Sequence, residues 1–387
     1  MLRLEGPLAP KPIRILSVLG TRPEVIKMAP VITALAADHR RFESCVCVTG
    51  QHRALVEPLF ALFGIRPDHD LAVMRPGQTP TDVLSAALPG LQSVLRHERP
   101  DWVLAEGDTT TVMATAIAAF HERVPFGHVE AGLRSRDFAR PFPEEFNRRV
   151  ADLVAGWWFA PTDGARTNLL REGADPARVV VTGNTVVDAV LDVSARPLVL
   201  PAPLAALAAR RARLVLVTMH RRESFGGPLE QLCLALADLA DAYREVVQFI
   251  YPVHPNPAVR GPVHAILGDR ENVALVEPLE YGPFVQLLRR SALVITDSGG
   301  VLEEAPTLGV PAVVLREVTE RPEAFLAGAA VLAGTVREGV VQAVRRLLDD
   351  EPARRAMLGK PNPYGDGKAA ARIVAALAGE PVEPFGG

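Results

Sequence analysis

Trp102-Val-Leu-Ala-Glu-Gly-Asp-Thr-Thr-Thr111 decides the fold when read together with the residues downstream of it. Residues 102–105 are a short apolar run, and 109–121 is a helix-length segment opened by threonines. Phe126-Gly-His-Val129 is a second apolar run. A strand, a helix and a strand in such quick succession form a crossover unit, the building block of parallel sheets. Working outward, strands are expected at 13–19 and 44–48, with helices at about 24–37, after Gln51, and at about 81–97. Downstream come a helix near 144–155 and strands at 157–160 and 179–182. The rhythm restarts with strands at 214–218, 246–251, 273–276, 293–296 and 312–315. The expected fold class is α/β, with two Rossmann-like, doubly wound domains. Residues 1–187 form the first and 213–367 the second. Residues 188–212, rich in Pro and Ala, join them as a linker and hinge. A last helix, about 368–380, is expected to pack back on the first domain.

Composition narrows the function. The chain has 387 residues, 48% hydrophobic and 22% charged, which excludes a disordered polymer. Lys and Arg number 42 against 45 Asp and Glu, a net charge of −3. A generic nucleic-acid or anionic-membrane surface needs a positive excess, so neither partner is expected. No apolar run approaches the ~20 residues that span a bilayer. The first apolar stretch, 13–19, is too short for a signal segment, so a cytoplasmic protein is expected. Three cysteines in so long a chain form no disulfide framework. Cys45 and Cys47 alternate on one strand and read as core, and Cys233 as a helix residue. The 34 prolines are spread out, as turn and boundary residues are. No G-x-G-x-x-G, Walker A, H-E-x-x-H or C-x-x-C pattern occurs, so no cofactor and no metal are expected.

In open parallel sheets, ligands sit beyond the carboxyl ends of the strands. Those ends carry the informative residues. Gly20-Thr-Arg-Pro-Glu-Val-Ile-Lys27 puts Gly20 in a tight turn and Arg22 beside a helix start, a candidate anion site. Asp108 follows Gly107, and Glu130 follows the next apolar run. Glu144 and Glu145 follow Pro143 in a first helical turn, where acids suit the helix dipole. One such acid is an ordinary cap; acids at successive strand ends are the material for moving protons. In the second half, His220 and Arg221 follow one strand and His254 the next. Asp297-Ser-Gly-Gly300 offers a hydroxyl and free backbone N–H groups as a diphosphate cradle. Glu304 lies one to two turns on, and Arg316 and Arg321 come after it.

Taken in order, GTRPE-x-IK, TGQHR, GDTTT, VEAGLR, PFPEE-x-NRR, GN-x-V-x-D, HRRESFG, YPVHPNP, DSGG-x-x-EEAP-x-LG-x-P, TERPE and NPYGDG span roughly residues 13–375. This series resembles the non-hydrolysing UDP-N-acetylglucosamine 2-epimerases of bacteria. The resemblance implies the glycosyltransferase B architecture, with an active site in the cleft between two Rossmann-like domains. It implies interconversion of UDP-GlcNAc and UDP-ManNAc, without NAD or metal, in a homodimer that serves surface polysaccharide synthesis. The implied route eliminates UDP to give 2-acetamidoglucal and adds it back with a proton on the other face of C2. Matched by position, the acid/base carboxylates are Asp108, Glu130 and Glu144. The cationic and diphosphate-binding residues are Arg22, Lys27, Arg148, His220, Ser298, Gly299 and Arg321. Glu304 matches the ribose-binding glutamate and Phe284 a position near the uracil. His254 and Gly300 complete the expected binding set, and His220 is grouped with the catalytic residues.

The chain departs from the family where relatives bind a second, activating UDP-GlcNAc. Gln51 is present, but Ala54 and Gly77 occupy the accompanying positions, and Leu302 replaces a common glutamine. Other readings share the fold. A 2-epimerase of a UDP-diacetamido uronic acid would need a further cation, such as Arg136 or Arg140. A hydrolysing epimerase and a glycosyltransferase fit the motifs less well. A non-enzymatic UDP-sugar sensor would not retain the three carboxylates.

Overall fold

Two of the apolar runs are buried along their whole length. Phe126–Val129 and Leu293–Thr296 have every residue buried. Successive strand residues point to opposite faces, so both faces of these strands are covered, as parallel sheets require. The computed structural model describes residues 11–50, 53–75, 77–219, 226–317 and 322–386. The chain divides into two units: residues up to Asp188 together with Gly367–Gly386, and Ala189–Asp366.

The first unit carries strands β1 (Ile13–Leu19), β2 (Phe42–Val48), β3 (His69–Asp70), β4 (Trp102–Glu106), β5 (Phe126–Val129), β6 (Trp157–Ala160) and β7 (Val179–Val181). Their order is β3-β2-β1-β4-β5-β6-β7, with every pair parallel. Leu16 lies opposite Cys45 on one side and Val103 on the other. The second unit carries β8 (Arg213–Thr218), β9 (Val247–Pro252), β10 (Val273–Val276), β11 (Leu293–Thr296), β12 (Ala312–Val314) and β13 (Ala330–Leu332). Their order is β10-β9-β8-β11-β12-β13, again parallel throughout. Each sheet therefore winds outward from a central pair, β1 and β4 or β8 and β11. That pair is the switch point, where a doubly wound sheet opens a crevice for ligand.

Several expectations change. β3 and β13 have two and three residues, too short for a hydrophobic period to register. Gly20 does not owe its place to a left-handed turn. A Cβ there would lie 2.3 Å from Thr111 Oγ1 and 3.0 Å from Thr49 Oγ1, so close approach of neighbouring strand ends requires glycine. Prolines are not confined to boundaries: Pro30, Pro58, Pro89 and Pro262 lie inside helices. Tertiary packing there outweighs the lost backbone hydrogen bond. Cys47 is core, but Cys45 is only half-buried. Much of the span expected as a linker is helical, in Thr185–Ala195 and Ala202–Ala208. Leu200 and Leu204 pack with Leu214, Ile250 and Leu287 in the core of the second unit.

The helix Ala369–Leu377 belongs to the first unit. Asp188 accepts from the N–H groups of Ala369 (3.2 Å) and Ala370 (2.9 Å), which would otherwise lack partners at the helix start. Arg372 Nη1 donates to the Thr182 carbonyl at 3.0 Å, and Phe385 N to the Val181 carbonyl at 2.8 Å. Among the described residues, no helix is long and apolar enough to cross a membrane.

Candidate active site

The first unit gathers charge at the carboxyl ends of β1, β4 and β5. β4 ends on Glu106, with Asp108 two residues beyond; Gly107 between them turns at φ +87°. β5 leads into Glu130, a non-glycine residue held at φ +65°. A left-handed glutamate costs of order 1–3 kcal/mol and persists only where its surroundings impose it. Two buried donors do so. Lys27 Nζ, from the helix Arg22–Ala37, lies 2.5 Å from Glu130 Oε2, and Asn184 Nδ2 donates to the same oxygen at 2.6 Å. Lys27 Nζ also lies 2.8 Å from Glu106 Oε1. Lys27, Glu106, Glu130 and Asn184 are all buried.

Asp108 is partnered differently. Arg148 Nη2 donates to its carboxylate, and Asn147 Nδ2 to its carbonyl at 2.9 Å. Both donors come from the helix Glu144–Val154. Glu145 serves structure: it accepts from Ser135 N at 2.9 Å, Arg136 N at 3.2 Å and Arg148 Nη1 at 3.3 Å. Glu144 opens the same helix, half-buried, one turn before Arg148. The two neighbouring carboxylates thus meet different cations, a primary ammonium for Glu130 and a guanidinium for Asp108. Groups of one type in unlike surroundings divide acid and base work between them.

A buried network fixes the strand ends. His128, on β5, has Nδ1 2.6 Å from Asp152 Oδ1 and Nε2 2.7 Å from the Gly107 carbonyl. It pins the residue between Glu106 and Asp108. Burial alone would raise Asp152, but His128 and Arg134 hold its carboxyl below the ordinary range. Glu24 ties β1 to β4: it accepts from Gly20 N and from Thr21 Oγ1 and bonds the Thr109 hydroxyl. Burial outweighs those bonds and pushes Glu24 up to about 7 from 4.5. The native state keeps this proton where the unfolded chain has released it. Stability therefore falls as pH rises from about 4.5 through about 7, by about 3 kcal/mol, and is level above. Glu24→Gln removes that slope. Urea unfolding at pH 5 and pH 8 should show a smaller loss for the variant than for the parent, and parallel losses would refute the assignment.

The second unit repeats the geometry at its own switch point. Thr218 Oγ1, ending β8, lies 2.6 Å from Thr296 Oγ1, ending β11. Thr296 Oγ1 in turn accepts from Ser298 N at 2.9 Å. Ser298 stands at the N-cap position of the helix Gly299–Glu304 without a side-chain capping bond, and a Cβ on Gly300 would find its nearest neighbour, Ser298 Oγ, only at 4.0 Å. Glu304 is buried, with Tyr281 Oη donating to its Oε1 at 2.7 Å. Phe284 is half-buried on the same helix as Tyr281. His254 is exposed, its Nδ1 accepting from Asn256 N at 3.2 Å.

Of the expected residues, Lys27 and Glu130 touch, as do Asp108 and Arg148, while Arg22 begins the helix that carries Lys27. Ser298, Gly299, Gly300 and Glu304 share one short helix and its cap. His220, Arg321 and Gln51 lie outside the described residues. Sequence reasoning missed Glu106, Glu24, Asn184 and Tyr281. Glu106 had a signal: a charged residue closing an otherwise apolar buried strand. Elsewhere in this unit, Cys45, His69 and Glu98 bring ligand-type atoms within 4.8 Å of one another. Glu98 already engages His69 at 2.7 Å and Arg14 at 3.2 Å.

Comparison with known proteins gives this geometry its context. Residues 34–378 match the family model described as UDP-N-acetylglucosamine 2-epimerase. The chain is 49% identical over 371 residues to the UDP-N-acetylglucosamine 2-epimerase of Escherichia coli K12, covering 94% of this chain and 98% of that protein. The UDP-GlcNAc 2-epimerase of Neisseria meningitidis, solved bound to UDP-GlcNAc, superposes with a TM-score of 0.88 at 40% identity. That match covers 95% of this chain and all (100%) of the other. The Methanocaldococcus jannaschii UDP-GlcNAc 2-epimerase, solved with UDP-GlcNAc and UDP, gives 0.80 at 32%, covering 94% and 99%. Nearly the whole length of the chain is thereby matched, and the chain belongs to the UDP-N-acetylglucosamine 2-epimerase family.

Proposed function

We propose that this protein inverts C2 of UDP-N-acetylglucosamine, interconverting it with UDP-N-acetylmannosamine. The C2 hydrogen has no adjacent carbonyl, so its removal must be coupled to loss of a leaving group. A carboxylate takes the C2 proton while the C1–O bond breaks and UDP departs with the electron pair, leaving a C1=C2 double bond. UDP oxygen then re-forms the bond to C1, and an acid delivers a proton to the opposite face of C2. Only protons and UDP change places, and the sum is an isomerisation.

The observation that carries this reading is the pair of unlike carboxylates at adjacent strand ends, Glu130 on buried Lys27 and Asp108 on Arg148. Glu130 serves one face of C2 and Asp108 the other, with Glu144 tuning or relaying. Arg22, Lys27, Arg148, His220 and Arg321 offset the charge that develops on the departing diphosphate. Ser298, Gly299 and Gly300 cradle it, Glu304 takes the ribose hydroxyls, and Phe284 and His254 line the nucleotide. The protein acts as a cytoplasmic homodimer that supplies a surface-polysaccharide precursor. Light scattering in solution checks the dimer.

The test is incubation with UDP-GlcNAc in D₂O, followed by proton NMR. The expected result is UDP-ManNAc carrying deuterium at C2. Retention of the original C2 hydrogen in the product would rule out exchange through these carboxylates. Absence of any new sugar would overturn the activity.

A further inference from the structure

Lys27 stands between two buried carboxylates, and the proton-transfer scheme uses only one of them. Its Nζ is 2.5 Å from Glu130 Oε2 and 2.8 Å from Glu106 Oε1. Glu106 is 1% exposed. Were all three side chains ionised, the cluster would carry a net negative charge where water cannot solvate it, a costly state. One proton shared between the carboxylates makes the cluster neutral. The donors decide which carboxylate takes it. Lys27 and Asn184 converge on Glu130 Oε2, the latter at 2.6 Å, and two donors favour the ionised form. Lys27 is the donor that reaches Glu106.

We propose that Glu106 is a positioning residue: it holds the surplus proton of the Glu106–Lys27–Glu130 cluster, which keeps Glu130 ionised and Lys27 fixed between them. This rests on the reading of Glu130 as an acid/base group. The groups facing Glu106 are consistent with the assignment. Burial raises its proton affinity most, Lys27 lowers it, and the charges of Glu130 and Glu24 raise it again. When Glu106 ionises at alkaline pH, both carboxylates are charged and compete for Lys27, which is no longer held in place on Glu130. Turnover should fall there for that reason.

Two measurements decide the matter. In the first, the protein is labelled with 13C at the glutamate carboxyls and titrated by NMR, with and without Glu106→Gln. The signal lost in the variant belongs to Glu106. It should show a protonated carboxyl at pH 7; an ionised signal overturns the proposal. This readout does not require turnover, so it stands apart from any failure of the epimerase activity itself. In the second, kcat and KM are followed against pH. Glu106→Gln, which imitates the protonated acid, should keep kcat at pH 7 within about threefold and move the alkaline limb upward by about one unit. A profile that overlays the parent's overturns the proposal. Glu106→Asp keeps the carboxyl group but shortens its reach to Lys27. Its kcat should drop about tenfold with KM within twofold, and unchanged kcat counts against the positioning role.

Discussion

Glu130→Gln should lower turnover by about a hundred- to ten-thousand-fold, the usual effect of removing a positioned acid or base. UDP affinity should stay within a few-fold. Glutamine matches glutamate in shape, so the backbone at φ +65° and the bond from Asn184 can survive. What disappears is the charge that Lys27 faces at 2.5 Å and the capacity to exchange a proton. Asp108→Asn should have an effect of the same size, although its partner is Arg148 from a different helix. If the two serve opposite faces of C2, their defects separate by isotope. One variant should wash deuterium into UDP-GlcNAc without forming UDP-ManNAc, and the other should wash it into UDP-ManNAc without forming UDP-GlcNAc. Two variants with normal rates would end the carboxylate assignment. Loss of UDP binding in both would show that they hold substrate rather than move protons.

Lys27→Met carries the largest expected effect on stability. Removing one partner of a buried ionic cluster costs about 3–5 kcal/mol, because the remaining charges are left uncompensated. For units of this size that corresponds to a melting temperature lower by roughly 10 °C. The loss should depend on pH. Without the ammonium, Glu106 and Glu130 bind protons more tightly in the folded state than in the unfolded one. A raised folded-state affinity stabilises at low pH and is lost as pH rises. The deficit should therefore be smaller at pH 5 than at pH 8. Equal deficits at both values would mean that Lys27 contributes by packing alone.

The contrast between Lys27 and Glu106 explains what the sequence reveals and what it withholds. Runs such as 214–217 and 293–295 announce themselves because burial on both faces demands continuous apolar residues. Helices such as Pro80–Glu98 are legible from their caps, here Thr79 with Asp82. Lys27 and Glu130 are expected as cation and carboxylate by their places within motifs. Their contact, 103 residues apart in sequence, becomes visible only when β1, β4 and β5 are laid side by side. Glu106 reads locally as the last residue of a strand. Its meaning comes from Lys27 reaching across 79 residues, a relation no local period encodes. Tyr281 and Glu304 are a similar case in the second unit, joined through the fold rather than by spacing.

The first unit is assembled from two separated pieces of chain, with Asp188 near the end of one piece capping the helix Ala369–Leu377 of the other. On the ribosome, the earlier piece emerges first and waits through synthesis of residues 189–366 before its last helix appears. During that interval, the face of Arg22–Ala37 that receives the helix is uncovered, and the carboxylate of Asp188 has no helix start to bond. The second unit, continuous in sequence from 189 to 366, faces no such delay and can close first. The unit that is begun first in the chain is thus the one whose last helix is translated last.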